Sequence, residues 1–271
     1  MPICGVLGWP VRHSRSPAMH EAGYRALGLD DWRYQLLPVP PELFEETVRG
    51  LPGAGFVGAN VTIPHKEAAL ALADEATASA RAIGAANTLT FQADGRIHAD
   101  NTDAPGLIDA LPFDPAGRTA LVLGAGGSAR ATVWALVNAG AADVLVWNRT
   151  SDRAEHLCAE IGGQPIQAPL PPADLLVNTT SVGLHGEDPA KALPLPDAIN
   201  GYPCLVDLPY GSGPTALVSA AQAAGVTVVD GLEILVRQGA RSFERWTGRP
   251  APLEIFRAAA RGELTAAEPA A

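Results

Sequence analysis

The chain has 271 residues and a mass of 28.0 kDa, with 19 Lys+Arg against 29 Asp+Glu, a formal net charge of −10 and a pI near 5.0. An acidic balance of this size lacks the basic face that sequence-independent phosphate binding requires, which argues against a nucleic-acid partner. A content of 47% hydrophobic and 18% charged residues is too apolar for a disordered chain, and no apolar run reaches the ~18–20 residues that span a bilayer, so no membrane partner is expected.

Short β-rich runs alternate with amphipathic segments. In the first hundred residues strands are predicted at 3–7, 34–37, 58–61, 88–90 and 97–99, and helices at 17–27, 41–51 and 66–72. Ser16-Pro17 reads as an N-cap followed by Pro at the first helical position. This alternation predicts right-handed crossovers and a mainly parallel sheet. A short helix at 104–111 leads into a Pro/Gly connector at 112–117, the first candidate domain boundary. Further strands are predicted at 119–123, 143–147, 175–177, 205–207 and 227–229, with a weak one at 165–167. Helices follow at 128–139, 151–161, 215–224, 232–246 and 252–261. An Ala/Glu/Pro tail, 265–271, is expected to fray. The expected fold class is α/β with two domains: an N-terminal, mainly parallel substrate domain and a Rossmann dinucleotide-binding domain.

The strongest cofactor signal is the run from Ala120 to Arg130, a strand, a Gly-rich turn and a helix start. Glycines at 124, 126 and 127 let the backbone approach a pyrophosphate, and the helix N-terminus faces the anion. An NAD-selective site would end the next strand with Asp or Glu. Here stands Asn148-Arg149-Thr150-Ser151-Asp152-Arg153. Arg149 can stack on adenine or fork onto a 2′-phosphate, Arg153 can join it, and Thr150 and Ser151 add hydroxyls and can cap the helix, so NADP(H) is the expected cofactor. Asn178-Thr179-Thr180 lies at another strand end of the same domain.

Three polar clusters sit at strand ends in the first hundred residues. Ser14 and Ser16 present two hydroxyls suited to a carboxylate. In Asn60-Val-Thr62-Ile-Pro64-His65-Lys66, the two polar residues alternate toward one strand face and Lys66 opens a helix. Only two cations are lysines, Lys66 and Lys191; the other 17 are arginines. A Lys at a helix N-terminus opposes the helix dipole, and Lys can release a proton where Arg cannot. Lys66 is therefore the leading acid–base candidate, and Lys191 is expected to be a solvated loop residue. The third cluster is Asn87-Thr88 with Asp100-Asn101-Thr102-Asp103. Asp103, before the linker helix, is expected in the crevice between the domains, where it could orient Lys66.

These motifs, together with Gly84-Ala-Ala-Asn87 and Asp230-Gly231-Leu-Glu-Ile-Leu-Val-Arg-Gln238, run in order along the chain, which resembles the shikimate dehydrogenase family. The resemblance implies NADPH-dependent, reversible reduction of 3-dehydroshikimate to shikimate in aromatic amino-acid biosynthesis. Lys66 and Asp103 would be the catalytic pair, and Ser14 and Ser16 would hold the carboxylate. Asn60, Thr62, Lys66, Asn87, Asp103, Tyr210 and Gln238 would read the ring hydroxyls. Gly124, Ala125, Gly126, Gly127, Ser128, Ala129, Asn148, Arg149, Thr150, Arg153, Thr179, Thr180, Leu208 and Gly231 would line the cofactor site. The C-terminal helices would return to the first domain, giving a substrate domain at 1–103 and 236–271 around a nucleotide domain at 104–235. Glu21, Ala99-Asp100 and Ile234 depart from common family residues without removing a reacting group.

Rival readings are a quinate or dual quinate/shikimate dehydrogenase, a methylenetetrahydrofolate dehydrogenase, against which the Ser14/Ser16 pair argues, and a non-catalytic nucleotide-sensing Rossmann protein. His13, His20 and His65 lack metal-ligand spacing, so no metal is expected. Cys4, Cys158 and Cys204 are odd in number, far apart and without a C-x-x-C pair. They read as buried apolar residues in a reducing cytoplasm, and no signal-peptide pattern opens the chain. The expected partner is the small-molecule substrate; a homodimer stays open.

Overall fold

The structure is a computed structural model describing residues 1–184, 187–196, 199–211 and 213–264. The tail expected to fray, 265–271, lies outside the described residues. In chain order the first elements are β1 (Ile3–Gly8), α1 (Ser16–Ala26), β2 (Arg33–Pro38), α2 (Phe44–Gly50), β3 (Phe56–Val61), α3 (Lys66–Leu72), β4 (Glu75–Ala76), α4 (Ala78–Ile83), β5 (Thr88–Phe91) and β6 (Ile97–Asp100). Then come α5 (Asp103–Ala110), β7 (Thr119–Leu123), α6 (Gly127–Asn138), β8 (Asp143–Trp147), α7 (Ser151–Ile161), β9 (Gln164–Pro165), β10 (Leu175–Asn178), α8 (Pro189–Ala192), β11 (Cys204–Asp207), α9 (Ala216–Ala223), β12 (Thr227–Asp230), α10 (Gly231–Thr247) and α11 (Leu253–Arg261). Two compact units result: Met1–Thr102 with the chain from Leu235 onward, and Asp103–Ile234.

The first unit holds a six-stranded sheet in the order β2-β1-β3-β5-β6-β4. Pairs β1/β2, β1/β3 and β4/β6 are parallel; β5 runs antiparallel to both β3 and β6. That reversal places three polar residues together. Asn60 near the end of β3, Thr88 at the start of β5 and Asp100 at the end of β6 stand opposite one another in register. Leu7, Val61, Leu89 and Ala99 form the core on one side with Phe44 and Val48 of α2. On α10, Phe243 packs edge-on against Phe256 of α11, their ring centroids 5.4 Å apart. Gly58 leaves room for Trp246: a Cβ there would lie 2.1 Å from the indole nitrogen, which donates instead to the Leu89 carbonyl at 3.1 Å.

The second unit is a six-stranded, all-parallel sheet in the order β12-β11-β10-β7-β8-β9. Renumbered within the unit this is 3-2-1-4-5-6, the doubly wound dinucleotide-binding order, with its switch point between β7 and β10. The strands read as continuous apolar runs because both faces are covered. Leu121, Leu123, Leu176, Leu205 and Leu217 form one of its cores.

Several local expectations are corrected. Arg15, not Ser16, is the N-cap of α1; Ser16 is already the first helical residue, with Pro17 second. Asp103 does not precede the linker helix but is its first residue. The single helix predicted over 41–51 is a 3-10 turn at Pro41–Leu43 followed by α2. Helix α4, capped by the Thr77 hydroxyl and stopped by Gly84 at φ +73°, was not predicted, and neither was the two-residue β4. Lys191 lies on the short helix α8, capped by Asp188, rather than in a loop. Thr150 is the N-cap residue of α7, but its side chain makes no capping bond.

Candidate functional site

In the first unit, a turn closed by the Ser14 N–H on the Val11 carbonyl brings the two serines together. The Ser14 hydroxyl donates to Ser16 Oγ at 3.2 Å and accepts the Ser16 N–H at 3.3 Å. The N-cap residue Arg15 makes no side-chain capping bond, and the positive end of the α1 dipole lies beside this pair, which suits an anion. Thr62 follows β3, half-buried, its N–H bonded to the Leu7 carbonyl at 2.8 Å.

Lys66 opens α3 and is only 8% exposed, so it is not a snorkelling surface residue. Its backbone carbonyl accepts the Ala86 N–H at 2.8 Å. Lys191 is the contrast: its side chain is 85% exposed and pairs with Asp188 at 3.4 Å.

Asn87 is buried. It accepts the Thr102 N–H at 2.7 Å and donates to Gln238 Oε1 at 3.1 Å and Thr102 Oγ1 at 3.0 Å. Gln238, on α10, donates to the Leu235 carbonyl at 2.9 Å. Asn60 is surrounded by protein partners. The Tyr34 hydroxyl donates to its Oδ1 at 2.7 Å, and its Nδ2 faces Ser242 Oγ at 2.8 Å, Thr88 Oγ1 at 3.2 Å and the Asn87 carbonyl at 3.2 Å. Asp100 accepts the Thr77 hydroxyl and the Asn101 N–H, each at 2.8 Å, and pairs with Arg245.

In the second unit, Gly124 follows β7 at φ +112°, and a Cβ there would lie 2.5 Å from Thr179 Oγ1. Thr179 in turn donates to the Leu123 carbonyl at 2.7 Å, which ties the β10 loop to the Gly-rich turn across the switch point. Gly126, Gly127, Ser128 and Ala129 form the start of α6. Gly126 is its N-cap and has no side chain to accept from the first-turn N–H groups; a Cβ at Gly126 would meet nothing within 4 Å. Open space over first-turn amides fits the pyrophosphate of a dinucleotide. Past the end of β8, Asn148 Nδ2 donates to the Thr150 carbonyl at 2.9 Å. Arg149 and Arg153 are exposed and have no ion-pair partner among the described residues, as a 2′-phosphate site would require.

Leu208 follows β11, its N–H on the Asn178 carbonyl at 3.0 Å. Gly231 packs so closely that a Cβ would lie 2.2 Å from the Leu208 carbonyl oxygen. Tyr210 and Asp103 are half-buried. Beneath these residues lies a polar group that the sequence analysis missed. Asp207, fully buried, accepts from Asn178 Nδ2 at 2.7 Å and from the Thr215 hydroxyl. Burial pushes its carboxyl up to about 6, and the two hydrogen bonds only partly oppose that rise. Asn178 Oδ1 then accepts both the N–H and the hydroxyl of Thr180, at 3.1 and 2.7 Å. An Asp ending the apolar run Cys204–Val206 was the available signal. Ser242 was missed as well, although it lies one helical turn beyond Gln238.

Two of the histidines, His20 and His65, serve packing. His20 is buried and stacks on Tyr34 with ring centroids 4.2 Å apart, and burial lowers its pKa to about 3. His65 stacks on Phe44 at 4.4 Å and donates to the Val39 carbonyl at 2.7 Å. No group of three or more His, Cys, Asp or Glu among the described residues could hold a metal ion. The three cysteines are free and buried, and burial raises their thiols to about 12 for Cys4 and about 11 for Cys158 and Cys204. Among the described residues no helix is long and apolar enough to cross a membrane.

Known proteins resemble this chain over most of its length. Family models described as shikimate dehydrogenase substrate binding domain, shikimate/quinate 5-dehydrogenase and shikimate 5'-dehydrogenase C-terminal domain match residues 6–89, 110–181 and 231–261. A shikimate dehydrogenase (NADP(+)) from Paracoccus denitrificans is 46% identical over 92% of this chain and 91% of its own length. One from Methanopyrus kandleri is 43% identical over 95% of this chain and 94% of its own. Among solved structures, shikimate 5-dehydrogenase from Thermus thermophilus, in complex with NADP(H) and shikimate, superposes with a TM-score of 0.86 at 42% identity, covering 97% of this chain and 100% of that one.

Proposed function

The chain belongs to the shikimate dehydrogenase family, and from that premise we propose that it catalyses the NADPH-dependent, reversible reduction of 3-dehydroshikimate to shikimate. The observation that carries this is the full-length likeness to the Thermus enzyme solved with both NADP(H) and shikimate. NADPH, when bound, supplies the hydride. Its pyrophosphate belongs at the start of α6, with Gly124, Ala125, Gly126, Gly127, Ser128 and Ala129. Asn148, Arg149, Thr150 and Arg153 take the 2′-phosphate and adenine end, and Thr179, Thr180, Leu208 and Gly231 take the nicotinamide side.

Lys66 gives its proton to the oxygen of the ketone as it becomes an alcohol, and takes it back in the reverse direction. Its ammonium charge stabilises the developing alkoxide, a stabilisation that burial strengthens. Asp103 is the second catalytic residue in this reading and bonds a ring hydroxyl. Ser14 and Ser16 hold the carboxylate, and Thr62, Asn87, Tyr210 and Gln238 read the hydroxyls. The buried, unpaired cysteines support a reducing, cytoplasmic compartment. A homodimer belongs to the reading as well; light scattering at about twice the 28.0 kDa chain mass checks it.

The test is a set of four initial rates: shikimate and quinate, each with NADP+ and NAD+. The expected result is dominant turnover of shikimate with NADP+. Faster turnover of quinate would transfer the chain to the quinate reading, and NADPH binding without turnover of either substrate would make it a sensor.

A further inference from the structure

Three buried amides of the first unit, Asn60, Asn87 and Gln238, are 6%, 2% and 8% exposed. A backbone N–H only donates and a backbone carbonyl only accepts, so each amide has a settled orientation. The Thr102 N–H puts Asn87 Oδ1 on its side, which turns Nδ2 toward Gln238 Oε1. The Leu235 carbonyl calls for Gln238 Nε2. The Asn87 carbonyl calls for Asn60 Nδ2, leaving Asn60 Oδ1 to the Tyr34 hydroxyl.

An amide nitrogen has two hydrogens. Those of Asn60 meet three protein acceptors, and the shortest contact, 2.8 Å, is to Ser242 Oγ. Ser242 is fully buried on α10. Its hydroxyl also lies 3.0 Å from Thr88 Oγ1 and donates to the Gln238 carbonyl at 3.2 Å, one turn back. Thr88 completes the circuit by donating to Asn87 Oδ1 at 3.1 Å.

We propose that Ser242, acting with Asn60, is a positioning residue for substrate recognition: together they hold Asn87 and Gln238 in one fixed donor–acceptor arrangement toward the polyhydroxylated ring. Asn60 thus acts through Asn87 and Thr88 rather than on a ring hydroxyl itself. The proposal rests on the dehydrogenase reading above. Turnover of shikimate by the unmodified enzyme tests that reading separately, before any variant is compared.

The experiment measures kcat and the KM for shikimate and for NADP+ in the unmodified enzyme, Ser242→Ala, Gln238→Ala and the double variant, with Tm for each. Loss of the serine hydroxyl is expected to raise the shikimate KM about 3- to 10-fold, the size of one or two net hydrogen bonds, with kcat and the NADP+ KM nearly unchanged. If Ser242 acts through Gln238, the serine change adds less than about 2-fold in the Gln238→Ala background. An unchanged shikimate KM, or the same fold-rise in both backgrounds, overturns the proposal. So does a lower Tm with all kinetic constants intact, the outcome for a residue that only packs. Should Ser242→Ala not fold, Tyr34→Phe removes the outer donor to Asn60. It is expected to raise the shikimate KM about 2- to 5-fold, and no rise overturns the proposal equally.

Discussion

The backbone carbonyl of Lys66 accepts the N–H of Ala86 at 2.8 Å, one residue before Asn87. The first turn of α3 is thereby fastened to the chain just before β5, and the Lys66 side chain leaves from a backbone tied to that neighbour. A rigidly carried, buried ammonium serves proton transfer better than a mobile one, because little reorganisation is needed when charge develops on the substrate oxygen.

Lys66→Ala is expected to lose about 10²- to 10⁴-fold in kcat, with a modest change in KM. Lys66→Arg is the sharper variant. It keeps a cation but cannot release the proton at accessible pH, so substrate binding survives while kcat falls by a comparable factor. Steady-state kinetics at about pH 7–9 measure both. Near-normal kcat in either variant would remove Lys66 from the proton transfer.

Arg149 and Arg153 stand exposed and without ion-pair partners among the described residues beyond β8, where a carboxylate would select NAD. Arg149→Ala is expected to raise the KM for NADP+ about 10- to 100-fold, the size of one or two charge-assisted hydrogen bonds, and to leave the KM for NAD+ within a few-fold. Equal losses for the two cofactors would mean that Arg149 meets the adenine common to both rather than the 2′-phosphate.

Gly124 combines a φ of +112° with a Cβ position 2.5 Å from Thr179 Oγ1. Gly124→Ala is therefore strained in its backbone and also pushes Thr179 off the Leu123 carbonyl. A Tm drop corresponding to about 1–3 kcal/mol is expected, together with weaker NADPH binding in a fluorescence titration. Unaltered NADPH affinity in a folded variant would mean that the turn tolerates the shift.

Asp207 gives a pH prediction. Its carboxyl titrates near 6 in the fold against an ordinary value of 3.8, so between those values the folded chain holds more of this proton than the unfolded chain. Its contribution to stability is complete below about pH 4 and is lost as pH rises through 6. Asp207→Asn is neutral throughout. The stability of the variant relative to the unmodified chain should therefore rise with pH, by up to about 3 kcal/mol between pH 4 and 7. Urea midpoints measured across that range test this, and parallel curves would show that the buried carboxyl titrates normally.

Elements set by local pattern were legible in the sequence. Apolar runs gave β7 and β8, and the amphipathic periods of α3 and α7 gave both helices their observed bounds. Boundaries depending on a single competing bond were less so: Ser16 looks like a cap, but the Val11–Ser14 turn carries the helix start one residue earlier. The antiparallel run of β5 was also missed. A tight hairpin around Gly95 at φ +86° reverses the chain between β5 and β6, and hydrophobic alternation does not distinguish that direction from a parallel one. That Lys66 would not be a solvated surface residue was legible because its residue type is scarce and its local placement unfavourable. The pairing of Asn60 with Ser242 was not, because 182 residues separate them and only the folded sheet and α10 bring them together.

The burial of Cys4, Cys158 and Cys204 has a practical consequence. With thiols raised to about 11 or 12, fewer than about one in a thousand is thiolate at pH 7.5, and it is the thiolate that meets an electrophile. The unmodified chain is thus a quiet background for maleimide chemistry. Single cysteines introduced at exposed Glu42 and Glu155, one in each compact unit, would carry a pair of dyes without removal of any native thiol. Energy transfer between those dyes would then report directly on whether their separation changes as substrate and cofactor are added.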